Sequence, residues 1–361
     1  MRFILTGFLL VISLTAVAEM TDILFIGTRI QKKAEGIYAV DFNRKSGEVK
    51  NNRLIAKFDA FSLIALSHDK KTLYTSGKPL SKGQQKKVSA YRIQPDTSLK
   101  LLNSINVEGS VICDLNLSGN GKFLVTGDYG HGYVCSFSLN KDGSLGQQVS
   151  RFEIPKNDNG KARAHAAYFT PDSKWVLVSS IANQTVYALS FNHETGELVQ
   201  KGKYTSESLR GPRHLTVSEN GQYIYVVNQG GSDVVVLEFD GNGKFEEKQV
   251  ISALPENSDI KTSAAEILLH PSGKFLYTSN RGHNSIAVFK VQESGLLKSV
   301  EIEPCGGPSP WSFVISPDGK FLISGNLSSN QLQVFSINPV TGELKIHGKP
   351  LEVPEPVCLR F

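Results

Sequence analysis

The stretch AAEILLHPSGKFLYTSNRGHNSIAVF, residues 264–289, decides the fold. An apolar run (Ala264–Leu269) meets a Pro-Ser-Gly-Lys turn. A second run follows, rich in aromatic and β-branched residues (Phe275–Thr278), and after another polar turn a third begins at Ser285. Two apolar runs about a tight Gly-containing turn read as a β-hairpin. Arg281 ends the second strand, where an isolated arginine is ordinarily a solvated turn residue.

The same segment recurs: LSHDKKTLYTSGK (66–78), LSGNGKFLVTGDY (117–129), FTPDSKWVLVSSI (169–181), VSENGQYIYVVNQ (217–229), LHPSGKFLYTSNR (269–281) and ISPDGKFLISGNL (315–327). The equivalent turn positions Lys70, Gly121, Ser173, Gly221, Gly273 and Gly319 stand 46 to 52 residues apart. Behind each hairpin lies a third strand (TVYALSF, DVVVLEF, SIAVFKV, QLQVFSI), a polar turn such as NHETGEL or NPVTGEL, and a weaker outer strand. Four antiparallel strands at this period are the signature of a β-propeller. The opening DILFIGT…GIYAVDFNRKSGEVK supplies three more strands and reads as lacking an outermost one. The closing PEPVCLRF is a spare strand that completes the first blade and closes the ring, hiding sheet edges. The expectation is an all-β, seven-bladed propeller in one domain over residues 19–361. No segment carries a convincing 3.6-residue apolar period.

Residues that build every blade recur; residues that carry function do not. Two columns vary. Six positions before each turn stand Ser62, Cys113, His165, Arg213, Ala265 and Trp311, and ten positions after it Lys78, Tyr129, Ile181, Gln229, Arg281 and Leu327. An antiparallel hairpin brings both columns to the same end of its blade, near one mouth of the central channel. Arg281 is therefore no turn requirement. Arg213, Arg281 and Lys78 make a cationic mouth suited to a carboxylate or phosphate, and His165 is placed as a general base or acid. Glu266 and His214 stand one residue further along, where strand alternation turns them to the other face, towards neighbouring blades. Glu266 then reads either as a buried partner of Arg281 or as an inter-blade hydrogen-bonder. His193 lies in an ordinary turn, HETGE, and His270 in the exposed turn column.

The N-terminus has a short basic start, an apolar run (Phe3–Val17) and a small-x-small Ala16-Val17-Ala18. Residues 1–18 read as a secretory signal peptide, so the mature chain is expected in the periplasm or outside the cell, with no membrane span. The formal charge of +5 comes from 39 basic and 34 acidic residues with no basic block, which argues against nucleic-acid binding. Cys113, Cys135, Cys305 and Cys358 show no metal-ligand spacing. Cys135 and Cys358, inside apolar runs, read as buried free thiols, although an exported chain could pair its cysteines. No metal or organic cofactor is implied.

With FIGT…GIYAVDF…SGEV, GPRHLTVSENGQYIYVVNQ, AAEILLHPSGKFLYTSNRGHNSIAVF and PEPVCLRF on view, the chain resembles the seven-bladed propeller lactonases, which include 6-phosphogluconolactonases and carboxy-muconate lactonizing enzymes. The resemblance implies a catalytic set of His165, Arg213 in Gly-Pro-Arg-His, Arg281 in Asn-Arg-Gly, and position 229, where the family usually has glutamate and this chain has Gln229. An amide cannot accept a proton as a carboxylate can, so if that glutamate is the family's base the chain has either lost it or moved its role to His165 or Glu266. The family's frequent Pro-Arg in the last blade is also replaced, by Pro310-Trp311, and Trp311 offers a wall for a sugar face. Lys78, His214, Glu266, Asn280 and Trp311 complete the expected substrate site.

The implied function is a sugar-lactone hydrolase acting on an anionic or sugar lactone. The alternatives are a non-catalytic propeller that binds an anionic sugar, peptide or protein at the same mouth, which Gln229 favours, and a muconate-type cycloisomerase.

Overall fold

A computed structural model of the chain describes residues 21–29, 32–58, 63–77, 86–109, 111–206 and 210–361. Residues 1–18, expected to be a leader, and Ser62 and Lys78 lie outside the described residues. Among the described residues, twenty-eight strands, β1 to β28 in chain order, form seven four-stranded antiparallel sheets. The first strands of six blades are β4 (Leu63–Leu66), β8 (Ile112–Leu117), β12 (Ala164–Phe169), β16 (Pro212–Val217), β20 (Ser263–Leu269) and β24 (Pro310–Ile315). In blade 1 the sheet order is β28-β1-β2-β3, with β1 at Thr21–Thr28, β2 at Gly36–Asn43, β3 at Val49–Lys57 and β28 at Pro356–Arg360.

This corrects one expectation. The opening of the chain lacks its innermost strand, not its outermost. β28 pairs with β1 and packs between β24 and β4, so it takes its place in the inner ring with the first strands of the other blades. The reason lies in the chain's direction: every blade is laid down from the channel outward, so a chain that enters at the second strand must return to supply the first. The closure is secured by Glu355, whose Oε2 accepts the backbone N–H groups of Lys32, Lys33 and Ala34 at 3.2–3.3 Å.

The middle strands are sandwiched between blades and are apolar on both faces. Val234, Val235 and Val236 in β18 (Asp233–Phe239) are all enclosed, each contributing roughly 1.5–3 kcal/mol. Buried tyrosines latch blade to blade: the hydroxyls of Tyr74, Tyr225 and Tyr277 donate to the carbonyls of Gly143, Gly295 and Gly342 in the next blade at 2.9–3.0 Å. The turn column is held by backbone shape. Lys70, Gly121, Ser173, Gly221, Gly273 and Gly319 all have φ between 54° and 75°, the left-handed region that glycine enters at least cost. His270, expected to be exposed, is half-buried instead, with Nε2 2.8 Å from the Gly319 carbonyl of the next blade. All four cysteines are free thiols; Cys135, Cys305 and Cys358 are buried and Cys113 is half-buried.

Candidate functional site

One device positions the site. Six inner strands carry a register shift on their pairing with the second strand, at Cys113, His165, Arg213, Ala265–Glu266, Trp311 and Val357. A β-bulge sets two residues against one on the partner and re-aims the side chain. The variable column read from the sequence is the bulge column. The N–H groups that a bulge removes from the ladder need partners. Ser179 Oγ accepts the Ala166 N–H and Ser279 Oγ accepts the Glu266 N–H, both at 3.1 Å.

His214 and Glu266 do meet across neighbouring blades, as their turn to the other face led us to expect, but the bulge does not take His214 away from Arg213. His214 stays beside Arg213, with Nε2 3.3 Å from Nη1, and its ring centroid is 5.0 Å from that of His165. Glu266 does not pair with Arg281. Its Oε1 lies 2.6 Å from His214 Nδ1 in blade 5, and its Oε2 accepts the Ser312 hydroxyl of blade 7 at 3.1 Å. It is the inter-blade hydrogen-bonder of the two roles foreseen. Burial works to raise this carboxyl, but the charge and hydrogen bond of His214, with Arg360 and Arg213 behind them, outweigh it and hold the group at about 2.

The cations gather on one ring. The guanidinium carbons of Arg281, Arg29 and Arg213 lie 4.4, 5.3 and 5.7 Å from the Trp311 centroid, within the range of cation–π attraction. Arg281 donates only to neutral groups: the Ser263 carbonyl and hydroxyl and the Ala264 carbonyl, at 2.8–3.2 Å. Arg213, 2% exposed, donates to the Ala265 carbonyl, and its Nε has no partner. Among the described residues no ion pair involves Arg213 or Arg281. Burial, then the charges of Arg213 and Arg29, push Arg281 down to about 9. A guanidinium such as Arg281, with no carboxylate in contact among the described residues, suits an anion site.

His165 is 8% exposed and its Nδ1 has no hydrogen-bond partner. Burial, followed by Arg213, His214 and Arg281, drives it well below the ordinary histidine value. Tyr129 meets its ring edge-on, and Arg163 stacks on Tyr129. Gln229 is half-buried at the same end, its backbone tied to Gly211 and Ala264. Asn280 is not brought into this group. It is fully enclosed and donates to the Ala253 carbonyl at 2.7 Å. The equivalent Asn326 does the same for the Cys305 carbonyl, so Asn280 belongs to the recurring scaffold.

Sequence reasoning missed Arg29. Aligning LFIGTR (24–29) with LYTSNR (276–281) puts Arg29 in the column of Arg281. The variable columns come from the six complete blades, and Arg29 stands in the remaining one.

Comparison with known proteins agrees with this architecture. Residues 23–361 match the family described as "Lactonase, 7-bladed beta-propeller". A 6-phosphogluconolactonase of Bacillus subtilis is 30% identical over 344 residues, 93% of this chain and 97% of that protein. A periplasmic gluconolactonase of Pseudomonas aeruginosa superposes with a TM-score of 0.87 at 25% identity, covering 94% of this chain and 98% of that one. A protein from Lactobacillus plantarum superposes equally well, with a TM-score of 0.87, 25% identity and coverage of 94% and 99%.

Proposed function

Because the chain belongs to the seven-bladed β-propeller lactonase family, we propose that it hydrolyses a sugar lactone at the channel mouth where Arg29, Arg213, Arg281 and Trp311 converge. The observation that carries this reading is the stacking of three guanidinium groups on Trp311, with neutral hydrogen-bond partners for Arg281 and, among the described residues, no ion pair to Arg213. Such donors hold a substrate carboxylate or phosphate. They also stabilise the oxyanion that forms when water attacks an ester carbonyl, without reorganising. The Trp311 face suits the C–H face of a sugar ring. His165 and His214 stand together to handle the proton of the attacking water.

The same reading places the protein outside the cytosol. The basic start, the apolar run and Ala16-Val17-Ala18 support export, and the Pseudomonas relative is periplasmic. A lactone formed by sugar oxidation outside the cytosol is then a fitting substrate, more so than a cytosolic phosphosugar lactone.

The test is proton release under pH-stat with glucono-δ-lactone and its 6-phosphate, for wild type, Arg281→Ala and Gln229→Glu. Turnover above the spontaneous rate that is lost in Arg281→Ala supports a lactonase with its site at this mouth. A second reading, a propeller that binds an anion without turnover, is favoured by the amide at Gln229. Activity that appears only in Gln229→Glu would establish it.

A further inference from the structure

The next assignment rests on the lactonase reading and concerns its base. We propose that His214, and not His165, is the general base, and that Glu266 is its positioning residue.

Hydrogen-bond chemistry fixes the tautomer of His214. A guanidinium has donors and no acceptor, so His214 Nε2, 3.3 Å from Arg213 Nη1, presents a lone pair. The ring proton is therefore on Nδ1, donated to Glu266 Oε1 at 2.6 Å. One nitrogen is held by a carboxylate that stabilises the imidazolium as it forms; the other carries a lone pair whose contact with Arg213, at 3.3 Å, is long, and that lone pair takes the water proton once a bound anion draws the guanidinium away. Glu266 is in turn held from two sides, by the Ile267 N–H at 3.2 Å and the Ser312 hydroxyl at 3.1 Å. Its position cannot drift without breaking contacts in two blades. The His214 side chain is 20% accessible, so a water can reach it.

His165 has none of this. It has no carboxylate partner, its Nδ1 is unpartnered, and three cationic or titratable neighbours oppose its protonation. A base whose proton affinity is that low does little at neutral pH. The charged and titratable groups that interact with His214 are Arg213 on its own strand, His165 from blade 4, Asp114 from blade 3 and Glu266 from blade 6, with Arg360 of blade 1 acting on both carboxyls. Of these, Glu266 alone is a carboxylate in hydrogen-bond contact with the ring.

The step balances. A water oxygen attacks the lactone carbonyl carbon while His214 Nε2 takes one water proton. The tetrahedral intermediate collapses, the bond from the carbonyl carbon to the ring oxygen breaks, and His214 returns the proton to that oxygen as a hydroxyl. The new carboxylic acid gives its own proton to solvent.

The experiment combines histidine ¹⁵N NMR of wild type with kinetics of His214→Asn, His165→Asn and Glu266→Gln on glucono-δ-lactone, with a thermal melt of each variant. In wild type, His214 should show the Nδ1–H tautomer, a readout that needs no variant to fold. His214→Asn should lower kcat by about 10²–10⁴-fold with KM changed little. Glu266→Gln should lower kcat and move the acidic limb of the kcat/KM profile to lower pH, because the imidazolium loses its carboxylate. His165→Asn should cost less than either. An Nε2–H tautomer at His214, or a His214→Asn enzyme that outperforms His165→Asn, overturns the assignment and leaves the lactonase reading standing. A wild type that releases no proton from any lactone removes that reading and this base with it.

Discussion

His214 and Glu266 meet across the seam between the fifth and sixth blades, Nδ1 2.6 Å from Oε1, and Ser312 of the seventh blade closes the contact from the other side. Three consecutive blades are thus joined through one carboxylate at the bulge level of the channel. A residue that reads as a functional candidate also ties the ring together, and that coupling has a pH signature.

Glu266 is held at about 2 in the fold against an ordinary value of 4.5. A depressed carboxyl stabilises the fold at pH values above its unfolded value and loses that contribution as pH falls through the folded one. Wild type should therefore lose roughly 3 kcal/mol between about pH 5 and pH 2 through this group. Glu266→Gln should start less stable at pH 7 and fall less steeply over the same window. Urea denaturation at stepped pH measures both slopes, and parallel slopes would mean that the pair carries no coupling.

Arg281, Arg213 and Arg29 repel one another across Trp311, so a bound anion should stabilise the protein. Gluconate at about 100 times its Kd should add about 2.7 kcal/mol, seen as a higher Tm. In Arg281→Ala most of that increment should vanish, while the Tm without ligand stays level or rises because a buried charge has gone. An equal gain in both proteins would place the anion elsewhere.

The tyrosine latches should matter more than their single hydroxyls suggest. Tyr277→Phe keeps the packing but leaves the Gly342 carbonyl without its 2.9 Å donor. Loss of one partner from a buried pair costs about 1–3 kcal/mol. Chemical denaturation should show that loss with kcat unaltered, since Tyr277 lies in the blade interior, in the core between blades 6 and 7.

Much of this was legible because a repeat reports its own exceptions. The turn column needs left-handed backbone, so glycine marks it in four of six blades, with Lys70 and Ser173 as the departures. The inner-strand column that varies, His165, Arg213 and Trp311, is the bulge column, and Arg281, from the second strand of its blade, meets it at Trp311. What stayed hidden was the bulge itself. Strand alternation sends His214 and Glu266 away from Arg213, and no residue type in Pro212–Val217 announces the extra residue that keeps them close. The place of β28 was hidden for a similar reason. PEPVCLRF has the pattern of any inner strand, and only the order of pairing in blade 1 shows that it lies innermost. Arg29 escapes the column for a different reason: it stands in the one blade whose innermost strand comes from the other end of the chain.

The closure offers the last prediction. Glu355 accepts three consecutive backbone N–H groups from residues 32–34 and sits at φ 44°, immediately before β28. Hydrogen bonds to a charged acceptor are worth about 1.5–3 kcal/mol each, partly offset by burying the charge. Glu355→Ala should therefore cost about 2–4 kcal/mol, whereas Glu355→Gln, which keeps an acceptor oxygen, should cost less. The position of the damage is the sharper test. Because β28 is the innermost strand of blade 1, its release opens the ring beside β4 and β24 and exposes the strand edge of β1. Hydrogen exchange of Glu355→Ala should then show faster exchange in β28 and β1 first, with the sheet of blade 5 protected as in wild type. Uniform loss of protection over all seven blades would mean that the ring opens as one cooperative unit and that Glu355 is no local clasp.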